Sequence, residues 1–407
     1  LLRKHLYEID FMRTFIMLGV LSVHTSNSYL SMTKPMSASF LAIGSLVTSL
    51  HFTRESFMFI TGLVLAFTYA DKPLRAMPFW KKRLARIGIP YLVWTGVYLL
   101  FNGLFQPTPH YWLPSVFMRD VRHSIFTGNQ FFLYYLFVTM QFYLVFPFFF
   151  AWLRKSQRYH RHLFIGSFAL QIAITALCKF VVPHTDPLRL PPVLSNIVQY
   201  HNEFILTYQF WFVAGLIVAL HYESCLNWTK RHARLLFALF IASLILLWGH
   251  YLFDRMVLHE TEGIASLVTQ PLMVPFSLLL TINLWLAGSK WTDVRENQAW
   301  RRFSQFVELG STTSFGMFLL QPLPLVLAEH GIHTLWLEHG ATWFHYLLWP
   351  ICIAVVYTTS TLGTYWLSKV PHARYLVGRT SPIPRPLPSS PVQSATDSIA
   401  ASVASSG

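Results

Sequence analysis

Every second gap between the apolar stretches of this chain is basic, and that alternation limits its architecture more than any single motif does. Ten stretches reach the roughly 20 residues that a helix needs to cross a hydrocarbon core of about 30 Å. They fall at Phe11–Leu30, Ala38–Ala70, Phe79–Phe101, Phe131–Leu153, Leu163–Val182, Phe204–Tyr222, Leu235–Phe253, Ile264–Ala287, Glu308–Glu329 and Trp343–Leu367. The second is longer than a straight crossing requires and is expected to tilt, kink or project from the bilayer. The gap after it holds Lys72, Arg75, Lys81, Lys82, Arg83 and Arg86. Later alternate gaps hold Arg154, Lys155, Arg158 and Arg161, then Lys230, Arg231 and Arg234, then Lys290, Arg295, Arg301 and Arg302. Arg3 and Lys4 precede the first stretch, and Lys369, Arg374, Arg379 and Arg385 follow the last. Together these are 23 of the 31 Lys and Arg residues, whereas the other connections keep only Lys34, Arg119, Arg122, Arg189 and Arg255. Because cytoplasmic loops carry the Lys/Arg excess, the pattern predicts an all-α, polytopic membrane protein of ten transmembrane helices with both termini cytoplasmic.

Composition agrees. Residues are 54% hydrophobic and 12% charged, against about 25% charged in soluble domains. A net charge of +14 invites a nucleic-acid reading, but the cations sit in short loops between apolar runs, so the partner implied is the lipid bilayer. Cys178, Cys225 and Cys352 are scattered without CxxC or Cys/His spacing, which supports neither a disulfide framework nor a metal site. No small-x-small cleavage site follows the first stretch, which therefore reads as a span and not as a cleavable signal. The chain after Thr380 is rich in Pro, Ser and Ala. Residues 1–370 are thus expected to form the membrane domain and 371–407 a disordered cytoplasmic tail. HExxH, GxSxG, Walker A and strand-linked GxGxxG sequences are absent, leaving metalloprotease, α/β-hydrolase and ATPase chemistry without support.

Ionisable residues inside the apolar stretches carry the functional signal, since a charge at mid-membrane costs about 2.5–3.5 kcal/mol or more and normally faces a partner or a polar cavity. In the first stretch Arg13 and His24 are eleven residues apart, about three helical turns, so they share a face roughly 16 Å apart along the axis. Asp10 lies near the same stripe. His24 alone of the three exchanges a proton near neutral pH. One reading is a base deep in a cavity with a cationic anchor nearer its mouth. The other is an Arg13 that snorkels to lipid phosphates and a His24 that caps a helix end.

Arg83 and Arg86, three apart at the start of the third stretch, project together, and Lys82 can join them. Paired guanidiniums suit a phosphate-bearing ligand, although ordinary positive-inside residues look the same. His51, Arg54 and Glu55 interrupt the second stretch. His51 and Glu55, four apart, can meet on one helical face, either in a functional cavity or in a network that pins helices. His250 is a competing candidate histidine near the end of the seventh stretch. The longer outer connections 102–130 and 183–203 carry Tyr111, Trp112, Asp120, Asn129, Asp186, Asn196, His201 and Asn202. These side chains suit a sugar polymer, though aromatics populate any membrane interface.

In combination these segments resemble the acyltransferase 3 family of integral membrane enzymes that modify extracytoplasmic glycans and lipids. Arg13-x10-His24 is similar to its first-helix motif, and Arg83-x-x-Arg86 to its arginine pair. Phe57-Met-Phe-Ile-Thr-Gly62, Gln141-Phe-Tyr-Leu-Val-Phe-Pro147 and Ser314-Phe-Gly-Met-Phe-Leu319 resemble later motifs in the same order. Where relatives often carry His after the last of these, this chain has Gln321-Pro322, so no proton-transfer role passes to that position. The resemblance implies a multi-pass plasma-membrane protein of a bacterial envelope. It implies transfer from cytoplasmic acyl-CoA, commonly acetyl-CoA, which is a donor substrate and not a tightly bound cofactor. The acceptor it implies is a hydroxyl of an extracytoplasmic glycan or lipid-linked sugar. On that reading Arg83, Arg86 and Lys82 hold the nucleotide phosphates. His24 acts as general base or transient acyl carrier. Arg13 stabilises donor charge or orients the site through Asp10, and Arg54, beside Glu55, stabilises the oxyanion. The rivals are a polysaccharide transporter or flippase using the same buried charges, and a membrane O-acyltransferase of another family centred on His250.

Overall fold

The computed structural model describes residues 5–105, 108–339 and 343–379, and among them there is no β-strand. Arg3, Lys4 and Arg385 of the basic pattern, and the tail beyond Arg379, lie outside the described residues. The helices are α1 (Tyr7–Met32), α2 (Ala38–Leu50), α3 (Thr53–Tyr69), α4 (Ala76–Phe105), α5 (Pro114–Thr127), α6 (Tyr134–Lys155), α7 (His160–Phe180) and α8 (Pro192–Gln199). They continue with α9 (Gln209–Leu220), α10 (Tyr222–Arg231), α11 (Ala233–Met256), α12 (Glu262–Ala265), α13 (Met273–Val294), α14 (Arg301–Leu320), α15 (Pro322–His339) and α16 (Trp343–Lys369). The protein is an all-α polytopic membrane protein, but it is not ten straight rods. Among the described residues α4, α6, α7, α11 and α13 are each long and apolar enough to cross a membrane, and the count rises to seven if α9/α10 and α14/α15 are each one span.

The difference from ten has local causes. The over-long second stretch breaks at His51-Phe52 into α2 and α3, neither of which reaches 18 residues. The sixth bends by 98° between α9 and α10, and the ninth by 66° at Gln321-Pro322. At the second bend proline removes a backbone donor and crowds the preceding turn. In α1 the polar run His24-Thr-Ser-Asn-Ser28 lowers the apolarity of an otherwise sufficient 26-residue helix.

That polar helix is the axis of the bundle, packed against α2, α3, α13, α14, α15 and α16. Its hydroxyls are satisfied internally: Thr14 donates to Asp10 O (3.0 Å) and across to Val307 O of α14 (2.8 Å), and Thr25 donates to Leu21 O (2.9 Å). Peripheral helices reverse the pattern, with Phe237, Ile245, Leu246 and Phe253 of α11 facing outward, as a lipid solvent allows. The tightest approach joins α3 to α9. A Cβ on Gly62 would stand 2.4 Å from Phe212 O, and one on Gly215 would stand 2.1 Å from Phe59 O. Only glycine lets the two backbones meet this closely.

Residues 371–379, expected in the tail, are packed instead. A 3-10 turn at Ala373–Val377 lies on α4 and α14, with Trp94 Nε1 donating to Leu376 O (3.0 Å) and Arg379 Nη1 to Thr312 O (2.9 Å). Gly378 adopts a positive φ of 69° against the Phe315 ring, where a side chain would collide.

Candidate active site

Four helices each turn one stripe of side chains towards a common interior. The stripes are Asp10, Arg13, Val20 and His24 on α1; Arg54, Phe57 and Thr61 on α3; Tyr134, Tyr135, Thr139 and Tyr143 on α6; and Ser311, Ser314, Phe315 and Phe318 on α14. Apart from the adjacent pairs Tyr134–Tyr135 and Ser314–Phe315, which widen their stripes by about 100°, spacings of three, four or seven residues keep each set on one helical face. The interior is divided into two cavities that share three wall residues: Phe57, Tyr135 and Phe318. Tyr135 and Phe318 lie 6.0 Å apart between ring centroids. The Tyr135 hydroxyl is buried without a hydrogen bond of normal geometry, so a polar group sits within an otherwise aromatic partition.

The first cavity, about 510 Å³, lies towards the N-terminal end of α1. Arg13, Arg83, Arg86 and Arg379 line it, with Asp10 as its carboxylate. Asp10 is not the partner of Arg13. It takes a 2.5 Å contact from His5 Nε2 and a 2.6 Å hydrogen bond from Ser311 Oγ, while Arg13 makes no ion pair among the described residues. Arg83 lies over the Tyr69 ring at 5.8 Å, and its Nε has no partner. Four guanidiniums facing one space, with the only carboxylate already engaged, form a site for a multiply charged anion.

The second cavity, about 360 Å³, is lined by His24, Asn27, His51, Arg54 and Tyr134 among apolar neighbours. His24 stacks on Phe132 at 3.6 Å between centroids, with an interplanar angle of 20°. That contact fixes the imidazole plane and leaves its nitrogens at the ring edge to work in the cavity. Arg54 Nη1 donates to Tyr134 Oη at 2.6 Å and to Tyr208 Oη at 3.5 Å, and among the described residues it makes no ion pair with a carboxylate. A cationic donor held by two neutral phenols keeps its charge available for an oxygen that develops negative charge.

Of the residues singled out in the sequence, His24 and Arg54 share one cavity, and Arg13, Asp10, Arg83 and Arg86 share the other. Lys82 is exposed and lines neither. Glu55 is buried, but it also lines neither cavity, and its Oε2 is unpartnered. The expected meeting of His51 and Glu55 does not form because His51 belongs to the break before α3, where helical i,i+4 spacing no longer applies. His250 lines neither cavity and sits 3.3 Å from Asp254, whose main partner is Lys179 at 2.6 Å. Gln141 of the fourth-helix motif clasps the outer chain, donating to Glu203 O at 2.6 Å and accepting from Ile205 N at 3.2 Å. The long outer connection spends Tyr111 internally, its hydroxyl donating to Leu99 O at 2.6 Å.

Sequence reasoning missed Arg379, which falls within the expected tail, and Tyr134 and Tyr135, which looked like ordinary span aromatics, and it gave no wall role to Phe318, although that residue lies in a quoted motif. Only the register of α6 and α14 against α3 reveals these three. Among the described residues no three His, Cys, Asp or Glu side chains gather as a metal site would require.

No curated protein and no solved structure matches the chain. The profile of the acyltransferase 3 family, described as an acyltransferase domain, matches residues 6–369, which include α1, both cavities except His5 and the C-terminal turn, and every motif quoted above. The chain therefore belongs to the acyltransferase 3 family and is a membrane acyltransferase.

Proposed function

We propose that the protein moves an acyl group, commonly acetyl, from cytoplasmic acyl-CoA to a hydroxyl of an extracytoplasmic glycan or lipid-linked sugar in a bacterial plasma membrane. The observation that carries this reading is the pair of cavities meeting at one aromatic partition, with arginines in the first and His24 with Arg54 in the second. Arg83 and Arg86, beside Arg13 and Arg379, hold the donor phosphates at the basic end of the bundle. The flexible arm of the donor passes Phe57, Tyr135 and Phe318 and brings the thioester to His24.

His24 takes the proton of the acceptor hydroxyl as its oxygen attacks the thioester carbonyl carbon. The C–O bond forms, the carbonyl electron pair moves to oxygen, and Arg54 stabilises that oxyanion. Collapse breaks the C–S bond, and the thiolate leaves as free CoA after taking the proton from His24. In a variant of the same route His24 attacks first and carries the acyl group transiently.

Labelled acetyl-CoA turnover by purified protein in liposomes, with envelope glycan supplied, tests the assignment. Wild type should consume the donor, His24→Ala should not, and Arg86→Ala should need more donor to saturate. A folded wild type that neither binds nor consumes any acyl-CoA would overturn the reading in favour of a transporter. Turnover that survives His24→Ala but not His250→Ala would keep the reaction and discard the site.

A further inference from the structure

A third cavity, about 560 Å³, shares no lining residue with the other two. It lies between α7, the α9/α10 bend and α13, at the end of the bundle where Glu8 of α1 accepts from Tyr222 and Tyr222 accepts from Trp285 Nε1 at 3.2 Å. The 98° bend turns α10 away from the direction of α9 and leaves a gap beside α7 and α13. Its wall is apolar, formed by Phe59, Phe164, Ile217, Val218, Leu278 and Ile282. Its rim is basic and aromatic: Arg158, Arg161, His221 and the exposed Trp228.

The rim has an unbalanced field. Helix α7 begins in the run Arg158-Tyr-His-Arg-His162, has no acidic residue in its first turn, and no side chain caps its N-terminus. The amino end of a helix dipole is itself positive, and a cation there opposes it. An anion at this position would relieve the repulsion. The two imidazoles at the rim point the same way. His160 Nε2 lies 2.9 Å from Leu153 O, which can only accept, so that nitrogen carries the proton. His160 Nδ1 then accepts from His221 Nε2 at 2.8 Å, leaving His221 Nδ1 as the ring atom that can gain a proton and donate to an anion.

We infer that this cavity binds one membrane phospholipid with an anionic headgroup, an acyl chain lying along the apolar wall and the phosphate held by Arg158, Arg161, His221 and the α7 N-terminus. Charge and shape favour a lipid over free phosphate, because the basic rim continues directly into an apolar wall long enough to be lined from α3 to α10. The inference is independent of the transfer reaction.

Cys225 lines the cavity and serves as reporter, with Cys352 as internal reference. The full chain in detergent is labelled with N-ethylmaleimide, labelling is read peptide by peptide, and retained lipid is counted by native mass spectrometry. Phosphatidylglycerol should slow Cys225 labelling about tenfold or more and survive as one bound lipid, with Cys352 unchanged. Phosphatidylcholine at the same concentration should do neither. Arg158→Gln with Arg161→Gln, both exposed positions, should abolish the difference between the two lipids. Equal retention of both lipids by wild type, or unchanged phosphatidylglycerol retention in the double variant, would overturn the inference. Protection by glycerol phosphate alone would overturn it too, marking an anion site without a lipid. If Cys225 stays unlabelled throughout, the retained-lipid count decides.

Discussion

Two groups of ionisable side chains are buried in this bundle, and they are buried in opposite ways. Between α7 and α11, Lys179 Nζ lies 2.6 Å from Asp254 Oδ2 and 2.6 Å from Ile264 O, with both side chains only 3% exposed. Every charge there is answered, and no cavity adjoins it among those described. Between α1, α3, α4, α6 and α14 the arginines face open space: Arg13, Arg54 and Arg83 have no carboxylate partner among the described residues, and they line cavities. Closing a buried charge on its opposite lowers the cost of burying both and ties two helices together. Leaving one open in an apolar span has no structural return and is maintained only where something binds. Depth and charge alone therefore do not mark a site; the absence of a carboxylate partner at a cavity wall does.

The contrast is sharpest when one member of each group is removed. His24→Ala should lower acyl transfer about 10²–10⁴-fold, the usual contribution of a general base, with little change in thermal unfolding of the detergent-solubilised protein. Lys179→Met takes away the main partner of Asp254 and leaves it only His250 at 3.3 Å, which should destabilise the fold by up to about 3–5 kcal/mol while activity per folded molecule stays near wild type. Parallel unfolding and acetyl-CoA turnover assays separate the two. Loss of specific activity in Lys179→Met at undiminished stability would break the comparison and return His250 and its neighbours to candidacy.

What could be read in advance follows the same division. The helical class, the charges of α1 and the Arg83–Arg86 pair are local features, visible as hydropathy and spacing within one segment. The Lys179–Asp254 pair joins positions 75 residues apart, and nothing in either segment announces it. The bend at Gln321-Pro322 is written in a proline, whereas the break at His51-Phe52 and the bend after Leu220 have neither Gly nor Pro to signal them. That unsignalled break separates His51 from Glu55. The aromatic partition takes one residue from each of α3, α6 and α14, so it exists only in the packed bundle. Arg379 precedes the Pro, Ser and Ala-rich run after Thr380 and falls in the expected tail only through the boundary at residue 371; it reaches the first cavity beside Gly378, which packs against Phe315.

Within the unpaired group the two cavities should fail differently. Arg54→Met removes the proposed oxyanion donor, so kcat should fall about 10²–10³-fold with the KM for acyl-CoA nearly unchanged. Arg83→Gln removes one charge-assisted contact to the donor phosphates, worth about 1.5–3 kcal/mol, so KM should rise about 10- to 150-fold with kcat nearly unchanged. Steady-state kinetics over a range of acyl-CoA concentrations reads both. If the two variants shift the same parameter, the partition does not separate donor binding from chemistry.

The smallest effect probes how Arg54 is held. Tyr134→Phe deletes the hydroxyl 2.6 Å from Arg54 Nη1 but keeps the ring, whose centroid lies 5.7 Å from the guanidinium carbon. A lost hydrogen bond of this kind is worth about 1 kcal/mol net, so kcat should fall about fivefold, well short of Arg54→Met. Tyr208 Oη, at 3.5 Å from the same nitrogen, can shorten its contact and absorb part of the loss. Tyr134→Phe with Tyr208→Phe should then lose more than the two single effects multiplied, because each phenol compensates for the other. A Tyr134→Phe loss as large as that of Arg54→Met would instead place the phenol itself against the reacting oxygen. No loss in the double variant would mean that the cavity wall alone orients Arg54, so the phenols would only satisfy a buried cation, as Asp254 does for Lys179.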